Sequence, residues 1–249
     1  MTSRAFKWSA LLLGLIGLTE AQAYQYVQGN NNVVINGSGE NMVIINGRVV
    51  SGPGANNGIP EGALKTEVRA VADFDAVDVV GQMSVIFAYS DKPYVELNGG
   101  ENVLKHLKTS VTKGRLVFDF EENVKIKTPL VIRVYSKGLS RVMVTGNANF
   151  TANDLASPKL SIEVSGNGLA TVSGQTTEAS YRVTGSGNIN AWKLHADKVK
   201  ASITGSGNLF AHAKQAVNAS VTGSGVIHVV GAPEVRDVQR VGSGLVVFE

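Results

Sequence analysis

Cysteine is absent from the 249 residues. A disulfide framework, a thiolate metal site, a cysteine nucleophile and a lipidated cysteine are therefore all excluded. Export into an oxidising compartment places no redox constraint on such a chain. Net charge is also scarce, since 23 basic and 20 acidic residues leave +3. Without Arg4, Lys7 and Glu20 at the N-terminus the balance is closer still to neutral. That removes the electrostatic footprint expected of a nucleic-acid binder or of a protein held on an anionic membrane. After the first two dozen residues no apolar run reaches the roughly 20 residues that a membrane span requires, and there is no twin-arginine pair.

What is present begins with a leader. Arg4 and Lys7 precede the apolar run Trp8 to Leu18, and Ala21-Gln22-Ala23 forms a small-residue exit. This is the pattern of a secretory signal peptide over residues 1–23, cleaved to leave Tyr24 first. An uncleaved membrane anchor is the alternative, but the apolar run is short for a span. The mature chain is expected to have no transmembrane segment and to be periplasmic, extracellular or on the cell surface.

Self-similarity dominates the second half. VTGNAN, VSGNGL, VTGSGN, ITGSGN, VTGSGV and VGSGL place their first glycines at Gly146, Gly166, Gly185, Gly205, Gly223 and Gly242, with intervals of 20, 19, 20, 18 and 19 residues. That period is too short for a strand–helix–strand unit of about 30 residues. It suits one coil of a β-solenoid. Strand side chains alternate faces with period 2, and counting from the second glycine position the even places are apolar. Val144, Val164, Val183, Ile203 and Val221 form one inward column. Phe150, Ala170, Ile189, Leu209, Ile227 and Val246 form a second, and Ala152, Val172, Ala191, Ala211, Val229 and Phe248 a third. The glycines fall on the same parity. Either they make a corner that requires positive φ, or they lie where the wall has no room for a Cβ. Ala148, which replaces a glycine in the first repeat, favours close packing. A phosphate-cradling loop lacks its lysine and its strand-to-helix context.

Upstream, residues 63–140 are more charged and predict strands at Ala76 to Val80, Met83 to Tyr89, Tyr94 to Leu97, Arg115 to Phe120 and Leu130 to Tyr135, with one short helix at Glu101 to Leu107. Residues 24–62 carry a small duplication, Val33-Val34-Ile35-Asn36-Gly37 and Val43-Ile44-Ile45-Asn46-Gly47, whose Asn-Gly pairs signal turns. The Gly/Pro-rich stretch from Ser51 to Gly62 reads as a linker. The expected organisation is therefore signal peptide 1–23, strand-turn segment and linker 24–62, strand-rich half 63–140 and repeat half 141–249.

Ala72-Asp73-Phe74-Asp75-Ala76-Val77-Asp78-Val79, followed by Val85-Ile86-Phe87, Tyr94-Val95-Glu96, Glu101-Asn102-Val103-Leu104, Gly114-Arg115-Leu116-Val117, the Gly-Ser-Gly repeats and Gly231-Ala232-Pro233, resembles a known family. In that order the motifs are similar to the putative auto-transporter adhesin, head GIN domain family of bacterial envelope proteins, over about residues 68–247. The resemblance implies an all-β chain, a right-handed parallel β-helix with a strand-rich N-terminal part, and an adhesin-like role. It supplies no catalytic residues. The last repeat departs from the pattern with Arg240 where earlier repeats carry Val or Ile, which reads as a polar cap.

No catalytic, cofactor or metal residue is assigned. His195, His212 and His228 lie eight, five and three residues beyond their second glycines, so a strict period keeps them in separate columns as surface histidines, and His106 lies outside the repeats. A β-helix lyase or hydrolase needs gathered acids and bases, whereas Asp154, Asp197, Glu234 and Asp237 are scattered. Calcium-binding β-rolls need an aspartate where this chain has Asn149, Asn188 and Asn208. The outward positions remain. Thr184, Ser186 and Asn188, with Thr204, Ser206 and Asn208, and Thr222 and Ser224, predict a flat polar lattice with columns about 6.6 Å and coils about 4.8 Å apart. Such a lattice either keeps the solenoid soluble and stitches its coils, or docks a surface glycan or an envelope protein. The expectation is a non-enzymatic, adhesin-like binding module, with a periplasmic structural or sensory module as runner-up and a carbohydrate-active enzyme third.

Overall fold

The computed structural model describes residues 61–120 and 130–249 and, upstream of them, only the backbone of four strands. The expected signal peptide, the two Asn-Gly turns and most of the expected linker lie outside the described residues. The chain divides into two units, Met1–Gly58 and Ile59–Glu249. In the first, β1 (Gln25–Gly29), β2 (Asn32–Asn36), β3 (Asn41–Ile45) and β4 (Arg48–Ser51) form an antiparallel meander in sequence order. The duplicated Val-Val-Ile and Val-Ile-Ile runs are thus neighbours, with Val34 opposite Val43.

The second unit is a parallel β-solenoid of about five turns. Its elements before the repeats are β5 (Leu64–Ala70), β6 (Ala76–Gly81), β7 (Met83–Tyr89), β8 (Tyr94–Gly100), α1 (Glu101–His106), β9 (Leu107–Thr112), β10 (Arg115–Phe120) and β11 (Leu130–Ser136). The repeats contribute β12 (Arg141–Gly146), β13 (Asn149–Gly166), β14 (Leu169–Gly185), β15 (Asn188–Gly205), β16 (Asn208–Gly223), β17 (Val226–Val230), β18 (Val235–Val241) and β19 (Leu245–Phe248). The strands and the short helix predicted upstream appear within a few residues of their expected ends.

Strands β13 to β16 each run through most of a coil. One wall approaches the glycine pair: β6, β12, the ends of β13 to β16, then β18. A second wall leaves it: β11, β7, the starts of β13 to β16, then β17 and β19. Register follows the sequence period, with Val144 beside Val164, Val164 beside Val183, Val183 beside Ile203 and Ile203 beside Val221. The three predicted inward columns are buried throughout the inner coils, and only Val246 and Phe248 in the last coil are partly exposed. Columns also balance volume: Tyr181 stands between Ile162 and Ala201, with Ala219 next, so a large ring in one coil is followed by small side chains in the next two. Close packing of this kind leaves little room for substitution.

The two explanations for the glycines are both correct, each at a different place. The first glycine of each pair has positive φ, from +85° at Gly146 to +127° at Gly205, a conformation open to glycine at little cost. The second glycine shows no such φ, but a Cβ at Gly187 would stand 2.5 Å from Val164 Cγ1 and 2.9 Å from Gly168 O. Ala148 occupies that second place at the solenoid's start. The reading that favoured close packing for the pair as a whole is therefore corrected.

The two ends close differently. At the start, β9 pairs antiparallel with β10 on one wall, and β8 and β5 extend the other wall antiparallel. At the end, β18 is exposed along its whole length, and its positions in the inward columns opposite Val217 and Val221 are Arg236 and Arg240. The Arg236 guanidinium lies 4.4 Å from the Phe248 ring centroid and its Nε donates to Pro233 O. The expected polar cap is present.

Candidate functional site

The predicted lattice residues lie on the outside around the glycine corner. Thr184, Ser186, Thr204, Ser206, Asn208, Thr222 and Ser224 are exposed and Asn188 is half-buried. They do not lie in one plane. The chain bends at Ser186, Ser206 and Ser224 immediately after a positive-φ glycine. The threonines therefore belong to the approaching wall, the serines to the corner and the asparagines to the departing wall. A strand extrapolated straight through the glycines predicts flatness, and the left-handed residue is what breaks it. Part of the polar capacity is spent between coils: Asn208 Nδ2 donates to Asn188 Oδ1 at 3.0 Å, Asn167 Nδ2 to Asn147 Oδ1 at 3.3 Å, and Ser243 Oγ to Ser224 Oγ at 3.2 Å.

The histidines require a second correction. His195 and His212 are in register in adjacent coils, with ring centroids 4.3 Å apart in an edge-to-face arrangement. Parity counting fails here because the register slips between Ala191 and His195; β15 carries three residues more than β16 over that stretch, so an eight-residue offset in one coil meets a five-residue offset in the next. Burial, then His195, then Lys214 hold the His212 imidazole pKa below the ordinary histidine value, and its Nδ1 is buried without a hydrogen-bond partner. His228, also half-buried rather than free on the surface, stacks on Phe210 with centroids 4.6 Å apart and planes 8° from parallel. Its Nδ1 is 3.5 Å from Glu249 Oε1.

An aromatic element that the sequence reading passed over thus emerges on the departing wall. Its middle outward column runs Thr151, Thr171, Asn190, Phe210, His228 and Val247. The column before it runs Asn149, Leu169, Asn188, Asn208, Val226 and Leu245. Phe210 is 39% exposed and Trp192, in the slipped segment, 48%. Lys193 Nζ stands 4.9 Å over the Trp192 ring. The available signal was that these aromatics occupy odd, outward positions, with Leu169, Val226, Leu245 and Val247 as their apolar companions.

Three acidic groups on the coils are engaged in ion pairs between neighbours: Glu163 with Arg141 at 3.8 Å, Glu178 with Lys159 at 2.9 Å and Asp197 with Lys214 at 3.8 Å. The hydrogen bond and charge of Lys159 hold the Glu178 carboxyl below its ordinary pKa. That direction suits a permanent carboxylate, not a general acid. A shallow groove of about 400 Å³ runs past Lys159, Glu178, Lys198 and Lys200. Among the described residues no three His, Asp or Glu side chains gather to hold a metal ion, and no helix is long and apolar enough to cross a membrane.

The family model described as putative auto-transporter adhesin, head GIN domain matches residues 73–233, from the Asp-Phe-Asp motif just before β6 to the Pro233 that precedes β18. The chain belongs to this family. Solved structures agree on the fold. A putative adhesin from Bacteroides fragilis superposes with a TM-score of 0.66 at 22% identity, covering 77% of this chain and all of that one. A putative adhesin from Parabacteroides distasonis gives 0.53 at 22% identity, over 78% of this chain and all of its own. A putative lipid binding protein from the same species gives 0.51 at 24%, with the same coverage. Curated proteins give no match. Family members and structural neighbours are thus called adhesins or lipid-binding proteins by description, and at these identities the likeness of structures speaks for fold alone.

Proposed function

We propose that this chain is an exported, non-enzymatic binding module of the bacterial envelope, whose solenoid presents its outer side to a surface glycan or an envelope protein. The observation that carries the reading is the use of side chains on the coils. Inward columns are spent on packing, Glu163, Glu178 and Asp197 are tied into ion pairs, and what faces solvent near the glycine corner is largely hydroxyl and amide, with an aromatic ring at Phe210. Such a surface suits holding a partner by many weak contacts. Membership of an adhesin-named family supports the same reading. The lattice of Thr184, Ser186, Asn188, Thr204, Ser206, Asn208, Thr222 and Ser224 is proposed as part of the contact surface, folded around the corner, and the N-terminal leader as the means of export.

The test joins location to binding. Intact cells expressing the chain are treated with protease, and the purified protein is added to intact bacteria and to envelope fragments. The reading expects loss of the chain from whole cells and saturable binding to fragments. A chain protected in whole cells and released only by opening the outer membrane would favour the periplasmic structural or sensory alternative.

A further inference from the structure

We infer that the chain pairs with a second copy of itself through the outer edge of β5, antiparallel and centred on Thr66, so that two solenoids meet start to start. The inference goes beyond the binding-module reading and does not rest on it.

β5 is the last strand of its wall. It pairs with β8 on one side and, among the described residues, with no strand on the other. The Glu101 N–H donates to Ala63 O at 2.7 Å, and hydrogen-bonded pairs alternate along an antiparallel ladder. The backbone groups of Lys65, Glu67 and Arg69 therefore point to β8, and those of Leu64, Thr66 and Val68 point away from it at the open edge. Such an edge is a template for another strand. No proline and no bulge interrupts this one, and on the outside of the wall Leu64 and Val68 are 67% and 65% exposed. On the lumen side stand Lys65, Glu67 and Arg69, the last two opposite Leu97 and Val95. These charges repel most strands, and they select for one that answers their signs.

A second copy answers them in one register. Outward backbone groups of two copies meet only where the two-fold centre falls on a residue, and charge separates those cases. Centring on Lys65 sets Lys65 against Lys65. Centring on Glu67 sets Glu67 against Glu67 and Lys65 against Arg69. Centring on Val68 sets Glu67 against Arg69, which already share a hydrogen bond within one strand, and carries Leu64 past the end of the other β5. Centring on Thr66 sets Lys65 against Glu67 twice and, on the outer face, Leu64 against Val68 twice. Opposite charges and apolar pairs across strands are both stabilising. The contact is isologous and small, so it closes at two copies and is weak and reversible. A dimer of this kind presents two coil stacks to one partner surface. Each single chain keeps its own coils, so loss of pairing lowers avidity without removing saturable binding.

The chain has no cysteine, so one introduced thiol reports one contact. In this register Thr66→Cys faces its own copy with Cα atoms about 5.5 Å apart, within disulfide range. Val68→Cys lies about 14 Å from its copy, outside that range. The purified protein is oxidised with diamide, and the parent is followed by sedimentation over about a hundredfold range of concentration. The parent should show a reversible monomer–dimer equilibrium. Thr66→Cys should become a covalent dimer, while Val68→Cys and the coil control Gln175→Cys should not. Lys65→Glu, with unchanged circular dichroism, turns both attractions into repulsions and should raise the dimer Kd about tenfold. Adding Glu67→Lys to it should restore pairing. A parent that stays monomeric throughout overturns the proposal, as does equal cross-linking at all three positions or cross-linking at Val68→Cys alone. A monomer whose Leu64, Thr66 and Val68 amides resist hydrogen exchange gives the edge to residues of the same chain and also overturns it. Each of these outcomes is separate from envelope binding, which tests the module reading.

Discussion

Between Val164 and Val221, outside the register slips, inward side chains of a coil rest on their counterparts in the next, and one set of contacts is repeated. Residues 61–120 and 130–140 reach an equally buried core without repetition. There Arg69 donates to Leu104 O, Leu107 O, Thr109 Oγ1 and Glu67 Oε1, binding β5, the end of α1 and β9 together through one guanidinium. Its side chain is shielded enough for these charge-assisted bonds to carry weight. The difference is that between propagating a solenoid and closing one. A coil needs only a neighbour of the same kind, whereas the first rung must satisfy backbone groups for which no previous rung exists. Antiparallel strands do this at the start, and arginines in inward columns blunt the edge at the finish.

If propagation depends on the inward columns, the largest effect belongs to Ile203→Asp. Ile203 is buried between Val183 and Val221, so an unpaired carboxylate there costs several kcal/mol, on the order of a domain's stability. Denaturant unfolding should show a collapse of the midpoint; an unchanged midpoint would break the parity assignment.

Gly205→Ala should come next, at about 2–3 kcal/mol. It forces a side chain to φ +127°, with a Cβ 2.3 Å from Gly185 O. Calorimetry would check it, and a neutral result would mean that the corner relaxes.

In the closing half, Arg69→Met removes the guanidinium bonds to the Leu104 and Leu107 carbonyls, the first of which keeps the Leu107 N–H. A loss of about 2 kcal/mol is expected, with faster hydrogen exchange in β5 and β9 than in β14 to β16. Equal exchange in both halves would erase the distinction between closing and propagating.

The smallest effect has the opposite sign. The Tyr181 hydroxyl is buried without a partner, and burial raises its pKa. Tyr181→Phe should therefore raise thermal stability, by about 1 kcal/mol. A fall in melting temperature would show that the hydroxyl is satisfied after all.

The same contrast explains what could be read in advance. Period and parity fix the coils because Val144, Val164, Val183, Ile203 and Val221 recur at nearly constant spacing and must therefore stack. Ala148 separates the two glycine roles, but only when each glycine is considered alone. The His195–His212 pair was hidden by a register slip, which no fixed count from the glycine can follow. The polar lattice was legible as a set of residues and not as a surface, because a single left-handed glycine turns its columns apart. The Arg69 network joins residues nearly 40 positions apart through β5, α1 and β9, and no local pattern marks that meeting.

The central claim is that the coils, and not the closing half, carry binding. Envelope fragments are titrated with the parent, with a coil variant in which Thr184, Ser186, Thr204, Ser206 and Phe210 are replaced by lysine, and with a closing-half variant carrying Leu64→Ser, Val68→Ser and Tyr89→Ser at its exposed apolar positions. All three are first shown to be folded by circular dichroism. The account predicts that the coil variant loses saturable binding and that the closing-half variant retains it. Retention by the coil variant with loss by the other would contradict it.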